Sequence, residues 1–477
     1  MARFIGRTRE LHDLVTVMAT VGNGRRDAPG AAVLMRGRRR IGKSRLAEEL
    51  ITRTGAPAVV FQAAKGAPPS RQLGELALAV ASSDLPDAAT AEGNRPTTLT
   101  GALMLLAAAL PNDTPSIVVL DEIPWLLESI EGGAGELQRV WDRTLSRKPV
   151  LLLLLGSDLA MMEHLTRADQ PFFGRGVEMT LSNLTPHDVA RMTGLEDPMD
   201  VFDSYLITGG QPLVTQEWDH AEPPAAFLAR SFESPLSALV ASGQRVLDSE
   251  FHEGELARQV ATAIGGHGER TFSGIQQAAE SSGGLHPTSL SRVLDTLTIK
   301  RVVGVDLPLS TRPSRHTRYR ISDPALRFWL AFVEPALPEV DRGRPDLSIA
   351  RIERGFASWR GRAIESVVRE GVARLLPETP WTSAGEVGGW WPRTNTPEID
   401  LVVTDRRPAN VVHLIGTVKW RRSPVNAADV NTLVRDAAHV PGVTPTTPVA
   451  AVCPGGVTTD ARVAASWTAS DLLAAWA

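Results

Sequence analysis

Cysteine is nearly absent: Cys453 is the single one in 477 residues. That excludes an internal disulfide and any zinc site built from clustered thiolates, and it suits a reducing, cytoplasmic setting. Long apolar runs are missing too. The longest, 102–110, falls far short of the about 20 residues a membrane helix needs, so no membrane partner is expected. No secretory signal is expected ahead of the first motif. Lysine is scarce: of 50 basic residues only Lys43, Lys65, Lys148, Lys300 and Lys419 are lysines. The net charge of −4 argues against wholesale coating of nucleic acid, although 1–60 carries 12 basic residues against 5 acidic ones. Hydrophobic content of 43% and charged content of 22% are those of a globular chain, long enough for two to four domains.

What is present starts with Gly37, Arg38, Arg39, Arg40, Ile41, Gly42, Lys43 and Ser44, which read G-x-x-x-x-G-K-S. Two glycines let the backbone curl so that its N–H groups face phosphate oxygens. Lys43 reaches the β- and γ-phosphates, and the Ser44 hydroxyl joins the coordination of Mg2+. In a chain that otherwise writes arginine, this lysine stands where a slim ammonium must fit between phosphates. The context agrees. Residues 31–35 form an apolar run fit for a buried strand, and 44–51, beginning with Ser44 and Arg45, opens a helix whose N-terminus favours anions.

A second strand is predicted over 58–62 and a buried helix over 102–110. The next landmark is 116–120, an apolar run followed by Asp121 and Glu122. Open α/β sheets bind ligands at the carboxyl ends of their strands. There Asp121 would hold a water on Mg2+, and Glu122 would polarise the water that attacks the γ-phosphate. A further strand over 150–155 ends in Gly156 and Ser157. Arg175 precedes a strand-like 177–181 and admits two readings: a guanidinium acting on transition-state charge, in its own or a neighbouring subunit, or a surface arginine in a turn.

Residues 183–220 read as largely helical, broken at Gly209, Gly210 and Pro212. Beyond Glu253, helices are expected over 256–264, 272–281 and 288–297, the last capped by Thr288. Strands over 302–305 and 319–321 flank a loop with Arg312, Arg315, His316 and Arg318. Three helices and a two-stranded ribbon make a winged-helix pattern, and 286–320 holds seven basic residues against two acidic ones. Ser289, Ser291 and Arg292 would face a major groove and the wing arginines phosphates; the alternative is a wing that contacts protein. Residues 334–346, rich in Pro, Asp and Arg, read as an interdomain linker.

The last stretch places Glu365 on a helix, Asp400 on a strand, and Thr417 and Lys419 on the next one. Two acids there would bind Mg2+ and the lysine would position the attacking water. Thr417 brings no negative charge. Glu398, two residues from Asp400 on the same strand face, is a compensating acid in principle. A binding or scaffold module is the favoured expectation over a working nuclease.

Several motifs carry resemblances. Phe4, Gly6, Arg7, Glu10 and Leu11 resemble the entry of AAA-type and STAND ATPases, which packs beside the adenine. Gly210 and Pro212 resemble the G-x-P of STAND lids, whose proline lies against the base. Ser157 matches a γ-phosphate sensor. Glu365, Asp400 and Thr417-Val418-Lys419-Trp420 resemble restriction-endonuclease-like domains with one acid lost. In sequence they resemble the archaeal-type ATPases of the AAA+/STAND superfamily. The resemblance implies an α/β fold: a P-loop core with a parallel sheet over 1–182, a helical lid over 183–245 and a winged helix over 246–333. A linker over 334–349 and an endonuclease-like α/β domain over 350–477 would follow. It implies ATP and Mg2+ as ligands, DNA as partner and a possible homo-oligomer. The expected activity is an ATP-driven switch or motor, with an ATP-sensing regulator or an ATP-controlled nuclease as alternatives.

Overall fold

The structure, a computed structural model, describes residues 4–21, 29–241, 243–244, 255–280 and 284–477. The polar connection expected at 23–30 lies outside the described residues except for its last two. The domain boundary expected at 245/246 lies outside them altogether. The chain folds as two compact units, Met1–Asn183 and Leu184–Ala477.

The first unit is built on five strands: β1 (Ala31–Arg36), β2 (Ala58–Gln62), β3 (Ser116–Asp121), β4 (Val150–Gly156) and β5 (Val177–Thr180). They pair in parallel in the order β2-β3-β4-β1-β5. β3 and β4 are buried along their whole length because helices cover both faces. Alternate residues divide cleanly. Val33, Met35, Val119 and Leu153 pack with Leu14, Leu46 and Leu50 on one side. Leu34, Val118, Leu152 and Leu154 pack with Leu76, Leu103 and Trp141 on the other. This is the α/β arrangement of P-loop NTPases. The register Arg36↔Gly156 and Leu120↔Leu154 brings the carboxyl ends of β1, β3 and β4 to one edge of the sheet.

In the second unit, helices Pro186–Thr193, Pro198–Thr208 and Pro224–Phe232 precede a trio at Glu255–Ile264, Phe272–Glu280 and Pro287–Ile299. An antiparallel ribbon follows, β6 (Val303–Asp306) with β7 (Arg318–Ile321). The last of the trio is capped not by Thr288 but by His286. Its ring Nδ1 accepts from the Thr288 N–H at 3.4 Å, and Pro287 takes the first helical turn, where a missing N–H costs nothing.

The expected linker is not one. Glu334–Ala336 and Leu337–Asp341 are helical turns, and Pro345 opens the long helix Pro345–Ala363. Each proline sits in a first turn, which is why a proline-rich composition here extends rather than interrupts helix. Ala336 and Val340 are buried in an apolar cluster that runs from Met199 to Trp476. The segments read as lid, winged helix and C-terminal domain therefore share one core. The C-terminal sheet contains β8 (Glu386–Trp390), β9 (Ile399–Thr404), β10 (Val412–Val418), β11 (Val449–Val452) and β12 (Ala465–Trp467), ordered β12-β11-β10-β9-β8. β8, β9 and β10 are antiparallel, while β10, β11 and β12 run parallel.

Candidate nucleotide site and a neutralised acid cluster

β1 ends at Arg36, and the loop that follows closes onto the helix Lys43–Thr54. Two glycines shape it for different reasons. A Cβ on Gly37 would lie 2.9 Å from the Leu181 carbonyl oxygen, so only glycine fits. Gly42 has open space around it but a φ of 98°, which L side chains rarely adopt. Arg40 also takes a left-handed φ, 63°, a strain of about 1 kcal/mol that the closed loop maintains. Lys43 is buried, and its Nζ donates to the Gly37 and Arg38 carbonyls at 2.7 and 3.1 Å. The ammonium is thus held over the loop's own backbone. Ile41 is buried beneath it, Arg39 and Arg40 are exposed, and Arg45 pairs with Glu48 one turn along at 3.0 Å.

Ser44 Oγ donates to Asp121 Oδ2 at 2.6 Å. The other Asp121 oxygen accepts from the Glu122 backbone N–H at 2.9 Å. Glu122 sits at a left-handed φ of 52°, and its Oε2 accepts from the Ser157 N–H at 3.2 Å. A continuous hydrogen-bonded path, Ser44–Asp121–Glu122–Ser157, therefore links the ends of β1, β3 and β4. A hydroxyl beside a carboxylate is a hard-oxygen donor pair suited to Mg2+, which keeps waters and phosphate oxygens for its remaining positions. No group of three His, Cys, Asp or Glu able to hold a metal unaided occurs among the described residues.

Arg7 plays a part that sequence reasoning did not assign. It is buried at a left-handed φ of 57°, donates to the Ile41 carbonyl at 3.0 Å and pairs with Glu10 at 3.2 Å. The segment ahead of the helix Thr8–Val21 is thereby tied to the phosphate loop. The Gly6-Arg7 pair was the signal. Arg175 makes a forked pair with Asp142, from 2.8 Å, and donates to the Pro171 and Phe173 carbonyls at 2.8 and 3.0 Å. Its bonds brace its own turn and tie it to the helix Gly133–Arg143. Pro212 belongs to the second unit, where it opens the turn Pro212–Thr215. Gly209 and Gly210 before it both have left-handed φ, and a Cβ on either would strike Ala325 or the Leu184 carbonyl within 2.6 Å. The Gly-Gly-x-Pro break is a tightly packed corner between helices.

In the second unit Glu365, Asp400 and Thr417 do come together, around an arginine. Arg369 lies one helical turn after Glu365. It donates to Glu365 Oε2 at 3.1 Å and to the Asp400 carbonyl at 2.9 Å. Asp400 Oδ2 accepts from the Thr417 hydroxyl at 3.0 Å and the Val418 N–H at 2.8 Å. Burial pushes the Glu365 carboxyl well above the usual carboxylate range, against the pull of Arg369, although the side chain as a whole keeps 22% exposure. Lys419 lies just past β10, and its backbone N–H bonds to Val452.

Two expectations are overturned by a second arginine. Arg318 does not face solvent from the wing: it is buried, its guanidinium 4.2 Å from the Trp391 ring and bonded to Glu398 at 2.5 Å and Glu269 at 3.4 Å. Glu398, the acid considered for metal binding, is therefore an ion-pair partner. Arg312, Arg315 and His316 remain exposed on the ribbon loop.

A family model described as "Archaea bacterial proteins of unknown function" (DUF234) matches residues 329–432. No curated protein matches the sequence. Among solved structures, the Walker-type ATPase PABY2304 of Pyrococcus abyssi aligns at 17% identity and a TM-score of 0.46, over 69% of this chain and 99% of that one. The Aeropyrum pernix Orc1 protein in complex with DNA aligns at 19% identity and a TM-score of 0.34, over 74% and 95%. Cdc6p of Pyrobaculum aerophilum aligns at 16% and 0.33, over 74% and 96%. No helix among the described residues is long and apolar enough to cross a membrane.

Proposed function

We propose that the first unit binds ATP with Mg2+ and hydrolyses it, and that the chain works as a nucleotide-driven switch or motor on DNA. One observation carries the reading: the 2.6 Å bond from Ser44 to Asp121, beside a Lys43 ammonium held over the phosphate loop. When bound, Mg2+ would be held by Ser44 and, through water, by Asp121, neutralising charge on the β- and γ-phosphates. Lys43 leaves the Gly37 and Arg38 carbonyls for phosphate oxygens. Glu122 exchanges the Ser157 N–H for the attacking water and accepts its proton, while Ser157 faces the γ-phosphate.

MgATP turnover by the full chain tests this against Lys43→Ala and Glu122→Gln. Lys43→Ala is expected to lose nucleotide binding. Glu122→Gln keeps binding and slows turnover by about 10²-fold or more. Equal turnover in all three chains would sink the assignment.

DNA as partner is supported by the trio of helices with its ribbon, by Ser291 and Arg292 exposed on Pro287–Ile299, and by Arg312 and Arg315 exposed on the ribbon loop. Comparing DNA affinity with ATP, ADP and no nucleotide over a salt series distinguishes a motor from a slow, ATP-sensing regulator. Absence of binding at low salt removes DNA from the scheme. Sizing the chain with and without a non-hydrolysable analogue tests whether a homo-oligomer forms. Cleavage by the C-terminal sheet is not part of this proposal: Glu365 and Glu398 are paired with Arg369 and Arg318, and the Asp400 carboxylate accepts from Thr417 and Val418.

A further inference from the structure

Beside the neutralised acid cluster, the second unit encloses a pocket of about 260 Å3. Its walls are the ribbon β6–β7, the strand β8 and the helix Glu365–Leu375. Three arginines reach it, one from each of three directions: Arg320 from β7, Arg369 from the helix and Arg407 from the turn after β9. Each is anchored on one edge only. Arg320 Nε donates to Asp306 at 2.8 Å. Arg369 uses Nε and Nη2 on Asp400 and Glu365. Arg407 Nη1 donates to the Leu307 carbonyl at 2.9 Å, with Glu386 at 3.8 Å from its Nε. The remaining nitrogens, both Nη of Arg320, Nη1 of Arg369 and Nη2 of Arg407, make no hydrogen bond among the described residues. Arg369 as a residue is only 8% exposed, so its guanidinium is fixed in the wall while Nη1 stays open to the pocket.

The strands are shaped around these guanidiniums. Glycine inside a strand marks a close approach. A Cβ on Gly389 would lie 2.6 Å from Arg369 Nη2, and one on Gly388 would lie 3.3 Å from Arg407 Nη2. On β6, a Cβ at Gly304 would lie 3.1 Å from the Arg320 guanidinium carbon. Three glycines therefore make room for three arginines. The carboxylates at the rim are already engaged: Asp306 by Arg320, Glu386 by Arg407, and Glu370 by Arg374 at 2.9 Å.

We propose that this pocket binds the terminal phosphate of a phosphate monoester, a nucleoside monophosphate or the 5′ end of a DNA strand. A carboxylate is satisfied by one guanidinium fork. Donors converging from three directions match an anion with three terminal oxygens in tetrahedral array. The volume leaves room for more than inorganic phosphate. The site shares no residue with the phosphate loop.

Calorimetric titration of the full-length Lys43→Ala chain, whose phosphate loop is disabled, isolates this pocket from the first unit. Probes are inorganic phosphate, AMP, and a single-stranded oligonucleotide with either a 5′-phosphate or a 5′-hydroxyl. Binding by AMP or by the 5′-phosphorylated strand is expected, weakened about tenfold or more by Arg407→Gln and by Ser366→Phe. Both positions line the pocket without supporting the core, and the melting temperature without ligand verifies folding. AMP binding alone assigns a free nucleotide; preference for the 5′-phosphorylated strand assigns a DNA end. The proposal is overturned if, at about 10 mM, AMP does not bind and the 5′-phosphorylated strand is not preferred over the 5′-hydroxyl one, or if both variants leave the binding unchanged.

Discussion

Placing an acid at position 417, by Thr417→Glu, is expected to destabilise the second unit rather than create a metal site. Thr417 is 5% exposed, and its hydroxyl donates to Asp400 at 3.0 Å. Losing that bond to a carboxylate costs about 1.5–3 kcal/mol, which Thr417→Val measures alone. Glutamate loses the same bond and adds a buried carboxylate beside Asp400, with Arg369 already held by Glu365 and the Asp400 carbonyl. The total is then about 3–5 kcal/mol. Urea unfolding of the full chain reads this directly, because nine of the eleven tryptophans lie in Leu184–Ala477. A drop in midpoint of about 1–2 M is expected for glutamate, and roughly half that for valine. Neither is expected to respond to Mg2+, since Glu365 is already paired with Arg369. A Thr417→Glu chain as stable as the parent, or one that Mg2+ restabilises and that cleaves DNA, would refute the reasoning.

Two further outcomes follow from the same geometry. Because burial raises the Glu365 carboxyl above its ordinary 4.5, the folded chain binds that proton more tightly than the unfolded one. Stability from this group is complete below about pH 4.5 and is lost as pH rises through the raised folded value. Glu365→Gln cannot titrate, so its urea midpoint should gain on the parent's as pH rises from about 4.5 to 8.5; a constant offset, or the opposite slope, contradicts the burial argument. Arg175→Ala should change MgATP turnover by less than about threefold, because its bonds go to Asp142 and its own turn. A loss approaching the 10³-fold of an arginine acting on transition-state charge would return Arg175 to the catalytic set.

The first unit was legible because its signals are local. A parallel strand buried on both faces must be continuously apolar, so 116–120 and 150–155 identify themselves, and the phosphate loop needs glycines and a lysine at fixed spacing. The position of Asp121 and Glu122 at the carboxyl end of such a strand was readable for the same reason. The second unit misled where composition stood in for geometry. Prolines at 335, 338 and 345 suggested a linker, yet a proline in a first helical turn costs nothing. Arg318 lay in a basic run that suggested solvent, yet Trp391, Glu398 and Glu269 come to it from remote stretches of chain.

By itself, then, the sequence determined the parallel sheet and the glycine-framed turn that carries Lys43 and Ser44 at its end. Periodicity and motif spacing act over a few residues, and one strand or turn contains them. Tertiary structure alone decided that Arg7 grips the phosphate loop, that Arg369 stands between Glu365 and Asp400, and that Arg320, Arg369 and Arg407 converge on one pocket. Those facts depend on which distant side chains share a small volume, and chain order carries no term for that.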